Sequence, residues 1–179
     1  MAGCLISEDM EKEFKEQGIK DSKLLTAIRR EILAEIIKKR ALSFRVLIIT
    51  PTEIDGKNHA GINLNRIEAI KAAEIINKIN KSASSIDKIK VIVDCPSPNI
   101  EKWENTLKSY VSDVSNLEFV VEHKADRNHI ACSAASILAK SRREKEIKKI
   151  KKNLGIEFGS GYTSDPITIK FLEKYAKKH

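Results

Sequence analysis

Nowhere in its 179 residues does the chain hold an unbroken apolar run near the ~18 that a membrane span requires. Its start also lacks the basic stretch, apolar stretch and small-residue cleavage site of an export signal, so the cytoplasm is the expected compartment and no membrane span is expected. Cysteine is scarce. Cys4, Cys95 and Cys132 are odd in number and far apart, which fits reduced thiols and argues against a disulfide framework or the paired spacing of a zinc site. No Gly-rich phosphate loop follows an early strand, and no segment repeats.

With 41% hydrophobic and 32% charged residues, the chain has apolar material for a core and is expected to form one domain over residues 1–179. Its 33 basic and 25 acidic residues leave a net +8. The excess is one-sided: residues 139–179 hold 12 basic and 5 acidic side chains, a net +7. Such a field favours polyanions, nucleic acid or an anionic membrane surface, although a solvated Lys-rich helix face has the same composition.

Hydrophobic periodicity sketches an α/β chain. Residues 1–6 read as the end of a strand, and Ser7 reads as the cap of a short helix carrying Met10 and Phe14 and stopped by Gly18. Thr26 is set to cap a helix over residues 27–40, with Ile28, Ile32, Leu33 and Ile36 expected to be buried. Residues 43–50 read as a strand ended by Pro51, followed by a polar loop through Gly56 and Gly61. A helix over residues 64–81 carries Ala69, Ala72, Ile76 and Ile79, and a Ser-rich link at residues 82–85 leads into a strand at 88–94 whose apolar end suggests cover on both faces. Trp103, Leu107, Tyr110 and Val114 mark a third helix and residues 117–121 a further strand. Helix is expected over residues 128–152 and 166–177, with a turn at Gly159-Ser160-Gly161-Tyr162 between them. Strands alternating with helices predict a largely parallel sheet.

Two aspartates stand out by position. Asp94 ends the most apolar strand, where α/β sheets present ligand sites, though a turn aspartate before Pro96 would look the same. Asp126 follows the next strand and precedes a helix, so it reads either as a ligand or as a cap. Carboxylates from two strand ends suit a hard divalent cation such as Mg²⁺ or Mn²⁺. Ala131, Ala134, Ala135 and Ser136 would let a helix or a phosphate approach closely. Tyr162 is either displayed on its Gly-rich loop or packed onto the core.

Five segments in order, Lys20-Asp21-Ser22-Lys23, Val91-Ile92-Val93-Asp94, Glu122-His123-Lys124-Ala125-Asp126, Ser133-Ala134-Ala135-Ser136-Ile137-Leu138-Ala139-Lys140 and Phe158-Gly159-Ser160-Gly161-Tyr162-Thr163-Ser164-Asp165-Pro166, together resemble ribonuclease HII of the archaeal type. The resemblance implies a ribonuclease-H-like mixed sheet flanked by helices. It also implies a monomeric endonuclease that cuts the RNA strand of RNA–DNA hybrids and ribonucleotides embedded in DNA, using two Mg²⁺ or Mn²⁺ ions held by four carboxylates. By motif match Asp94 and Asp126 are two of those carboxylates. Lys23 is matched to a phosphate contact, Tyr162 to stacking on a sugar, and Ser133, Ser136, Lys140 and Arg143 to a helix that follows the nucleic-acid backbone.

The chain departs from the family pattern at its ends. The family opens with an Asp-Glu pair at the end of its first strand and a Gly-Arg-Gly turn, whereas Met1-Ala2-Gly3-Cys4-Leu5-Ile6 resembles the second strand. The family's C-terminal extension is absent as well, and Ser141-Arg142-Arg143-Glu144 replaces a usual Val-Thr-Arg-Asp. The expectation is therefore a domain incomplete at both ends, with its first strand missing. It is either a nuclease by family or a hybrid-binding protein that does not cut.

Overall fold

The computed structural model describes residues 1–83 and 85–176, and the chain gathers into two units, Met1–Ala139 and Lys140–His179. The first contains β1 (Ala2–Leu5), α1 (Glu8–Glu16), a 3-10 turn (Ser22–Leu24), α2 (Ala27–Arg40), β2 (Ser43–Val46), α3 (Pro51–His59) and α4 (Leu64–Ser82). It continues with β3 (Ile89–Asp94), α5 (Ile100–Ser109), β4 (Leu117–Glu122), α6 (Ala125–Asn128) and the first turns of α7 (Ile130–Leu154). The α/β class is as expected, with the strands in two pairs. β1 runs antiparallel to β2, and β3 runs parallel to β4, so the predicted parallel arrangement holds for one pair.

Local chemistry fixes most element ends. The Ser7 hydroxyl accepts the Met10 N–H and Thr26 accepts the Arg29 N–H, each satisfying a donor that a first helical turn leaves open. Gly18, at φ 83°, turns the chain out of α1.

Several expectations need correction. The buried face of α2 is Leu33, Ala34 and Ile37, whereas Ile28 is 75% exposed and Ile32 also faces outward. This helix carries isoleucines on more than one side, and packing against Phe14, Ile19, Ala134, Ile137 and Leu138 selects the face. Next, β2 stops at Val46, and Pro51 opens α3 instead of closing a strand. Thr50 caps the Glu53 N–H and Pro51 fills a first-turn position where its missing donor costs nothing, so the expected loop through Gly56 is helical to His59. Lastly, α5 ends at Ser109, leaving Tyr110 as its cap and Val114 exposed beyond it, and the predicted helix at 128–152 is broken at His129, where φ is −130°.

A second core of Ala69, Ala73, Cys95, Trp103 and Leu107 holds α4 and α5 against the β3–β4 pair through Val93, Phe119 and Val121. Between the two strand pairs lies a cavity of about 400 Å³ lined by β1, β3, Ile75 and Ile76 of α4, and Ala131 and Cys132 of α7.

The second unit comprises the rest of α7, a Gly-rich turn and α8 (Pro166–Tyr175). Phe158, Phe171 and Tyr175 form a run of ring contacts with centroids 5.1 and 4.9 Å apart. Ser84 of the Ser-rich link and Lys177, the expected end of the last helix, lie outside the described residues.

Candidate functional site

The carboxyl ends of β3 and β4 carry the chemistry of the first unit. Parallel pairing in the register Asp94↔Glu122 brings both strand ends to one level. The Asp94 carboxylate accepts the Ala125 N–H at 3.3 Å, an open donor at the start of α6. Asp94 therefore ties β3 to the segment that holds Asp126.

Asp126 does not cap its helix. The position before α6 is Lys124, a left-handed residue at φ 60° that provides no side-chain cap, and this turn swings the chain so that Asp126 is only 5% exposed. Asp94 and Asp126 both line the cavity, as does Cys132. Burial, reinforced by the charges of Asp94 and Asp126, pushes the Cys132 thiol up to about 12, and burial pushes the Cys4 thiol up to about 12 as well. These thiols are free and stay protonated at neutral pH, so the candidate metal donors among the lining residues are carboxylate oxygens, those of Asp94, Asp126 and Glu68. Oxygen donors suit Mg²⁺ or Mn²⁺, yet among the described residues no three His, Cys, Asp or Glu side chains gather into a metal-holding group.

Around this pair the first unit arranges Lys23, Ser133 and Ser136. Lys23 is exposed on the 3-10 turn, whose N–H at Lys23 is accepted by Asp21 at 2.9 Å. Ser22, beneath it, is fully buried, with its hydroxyl 2.9 Å from that of Ser136 on α7. Arg30 of α2 grips the same turn by donating to the carbonyls of Ser22 and Leu25. Ser133 is buried and donates to the Asp126 carbonyl at 2.6 Å, so its hydroxyl holds the Asp126 backbone. Ala134 is core, while Ala131 and Ala135 line the cavity; the small residues serve close packing along one face and open space along another.

The second unit arranges Lys140, Arg143 and Tyr162. Lys140 and Arg143 lie partly buried on α7. The Arg143 guanidinium donates to the carbonyls of Ser160 and Gly161 at 3.1 and 2.8 Å and lies 3.7 Å from the Tyr162 ring centroid. Tyr162 is 45% exposed, which favours display on the loop. The turn beneath it is tightly made. Gly161 has φ 73°, and a side chain there would come within 2.7 Å of Ile147. Thr168 accepts the Gly161 N–H and donates to Phe158 O, and the backbone donors of Ser160 and Ile167 hold the Asp165 carboxyl down to about 2.

Sequence reasoning did not single out Asp21, Arg30 or Arg127. Arg127 donates to Asp21 at 3.2 Å and so joins the segment that carries Asp126 to the turn that carries Lys23. The only signal for Asp21 and Arg127 was adjacency, Asp21 lying inside the Lys20-Asp21-Ser22-Lys23 segment and Arg127 beside Asp126, and Arg30 carried none.

The family described as Ribonuclease HII matches residues 1–179. Ribonuclease HII of Methanobrevibacter smithii is 39% identical, over 98% of this chain and 80% of that protein. The Methanocaldococcus jannaschii enzyme is 38% identical, over 97% and 77%. In structure, ribonuclease H2 from Pyrococcus horikoshii superposes with a TM-score of 0.79 at 36% identity, over 97% of this chain and 77% of the other. A chain of the PCNA:RNase HII complex from Archaeoglobus fulgidus gives 0.80 at 35%, over 99% and 78%. Sequence and fold agree that the chain belongs to the ribonuclease HII family of ribonuclease H-type hydrolases.

Proposed function

We propose that this chain acts on RNA–DNA hybrids and on DNA with embedded ribonucleotides, and that Asp94 and Asp126 are its share of a divalent-metal site. The observation that carries this reading is the convergence of the two carboxylates on one cavity at the carboxyl ends of a parallel strand pair. Mg²⁺ or Mn²⁺ bound by them would supply the positive charge that polarises a phosphodiester and activates water. Asp94 and Asp126 would hold the cation; Lys23 meets a substrate phosphate; the Tyr162 ring stacks on a sugar. Along α7, Ser133 and Ser136 steady the elements that carry Asp126 and Lys23, while Lys140 and Arg143 add positive charge toward the nucleic-acid backbone. A 2′-hydroxyl is the group by which such a protein tells RNA from DNA.

A second reading, binding without cleavage, is favoured by the lack of a third metal-ligating side chain beside the two aspartates among the described residues. Incubating the purified 179-residue chain with a labelled hybrid in Mg²⁺ and in Mn²⁺ separates the two. Cleavage that Asp94→Asn abolishes supports the nuclease. Salt-sensitive binding with no cut product supports the second reading, and failure to bind hybrid at all removes both.

A further inference from the structure

The Asp21 carboxylate faces two ways. One oxygen accepts the Lys23 N–H at 2.9 Å and the other meets the Arg127 side chain at 3.2 Å, with the Asp21 side chain only 10% exposed. Arg127 belongs to α6, the four-residue helix that also carries Asp126. One largely covered carboxylate thus links the short turn presenting Lys23 to the segment presenting a cavity carboxylate. Other supports of that turn come from elsewhere, the Ser22–Ser136 hydroxyl pair from α7 and the Arg30 guanidinium from α2.

We infer that Asp21 is a positioning residue, fixing where the Lys23 ammonium stands relative to Asp126 and thereby strengthening the grip on a polyanion. The inference rests on the phosphate-contacting reading of Lys23. Its sign is opposite to that of simple electrostatics, since deleting a negative charge beside a phosphate site should by itself tighten polyanion binding. Asp21→Asn suits the test because asparagine still caps the 3-10 turn while losing the ionic link to Arg127.

Hybrid binding is measured by fluorescence anisotropy with a 12-base-pair RNA–DNA duplex in metal-free buffer across a salt series. The full chain is compared with Asp21→Asn, Lys23→Ala and the double variant, each checked for an unchanged thermal midpoint. The expected result is about three- to tenfold weaker binding for Asp21→Asn, a salt slope lower by about one for Lys23→Ala, and no further loss when the two are combined. Should Asp21→Asn fail the stability check, Arg127→Gln with Lys23→Ala gives the same cycle from the other end of the link. Equal or tighter binding by Asp21→Asn, or additive losses in the double variant, overturns the positioning role while leaving the Lys23 contact standing. If Lys23→Ala changes neither affinity nor slope, the contact itself is wrong and the inference goes with it.

Discussion

At the scale of single residues, backbone geometry decides which side chains are available. Lys124 adopts a left-handed conformation that buries Asp126, and Arg143 is committed to two loop carbonyls and the Tyr162 face. The loop's own lock is Asp165. Its carboxyl has a folded pKa of about 2 against an ordinary 3.8, because backbone donors stabilise the charged form. A depressed carboxyl contributes stability above its unfolded pKa and loses it as pH falls through the folded value. The Gly159–Tyr162 turn should therefore hold down to about pH 4 and loosen between about pH 4 and 2. An NMR titration following the Ser160 amide checks this, and a midpoint near 4 would contradict it. The identities of Asp94, Asp126 and Tyr162 as candidates were legible from order and spacing. The commitment of Ser133 to the Asp126 carbonyl was not, because a hydroxyl has many possible partners and only the chain's path chooses among them.

At the scale of elements, caps are local and faces are not. The ends of α1 and α2 follow from Ser7 and Thr26, whose side chains satisfy open donors within their own first turns. The inward face of α2 depends on neighbours about a hundred residues away, Ala134, Ile137 and Leu138 of α7. Leu33→Ala should cost about 2–5 kcal/mol of unfolding free energy, because it empties a fully packed site. Ile28→Ala should stay within about 0.5 kcal/mol, as an exposed substitution. Urea unfolding of the pair measures both, and equal costs would place the core on the face that isoleucine periodicity suggested. Pro51 gives a second lesson: as a residue it signals a break, and with Thr50 before it the same proline starts a helix.

At the scale of the whole molecule, charge and chemistry divide by unit. Residues 140–179 carry 12 basic and 5 acidic side chains, whereas both cavity aspartates belong to Met1–Ala139. Within the first unit, β1 and β3 each have a partner on one edge. Met1 and Leu47 exchange both main-chain bonds, so the alternation of an antiparallel ladder turns the N–H groups of Ala2 and Cys4 away from β2. On β3, Ile89 and Cys95 donate toward β4, which turns Lys90 and Ile92 away. Amide hydrogen exchange should therefore be faster at Ala2, Cys4, Lys90 and Ile92 than at Gly3, Val91 and Val93. Uniform protection along β1 and β3 would mean that the strand edges are covered. Such edges also make association through strand pairing the expected failure of the chain at high concentration.

By itself the sequence determined the α/β class, the starts of α1, α2, α4 and α8, the order of the five motifs and the concentration of positive charge near the end. All of these rest on interactions within a few residues or on composition. Tertiary structure alone decided that the strands stand as two pairs with a cavity between them, that Leu33 and not Ile28 is core, and that Asp21 links Arg127 to the Lys23 turn. Those outcomes depend on contacts between residues distant in the chain, where a side chain's partner is set by the path of the backbone rather than by its neighbours in sequence.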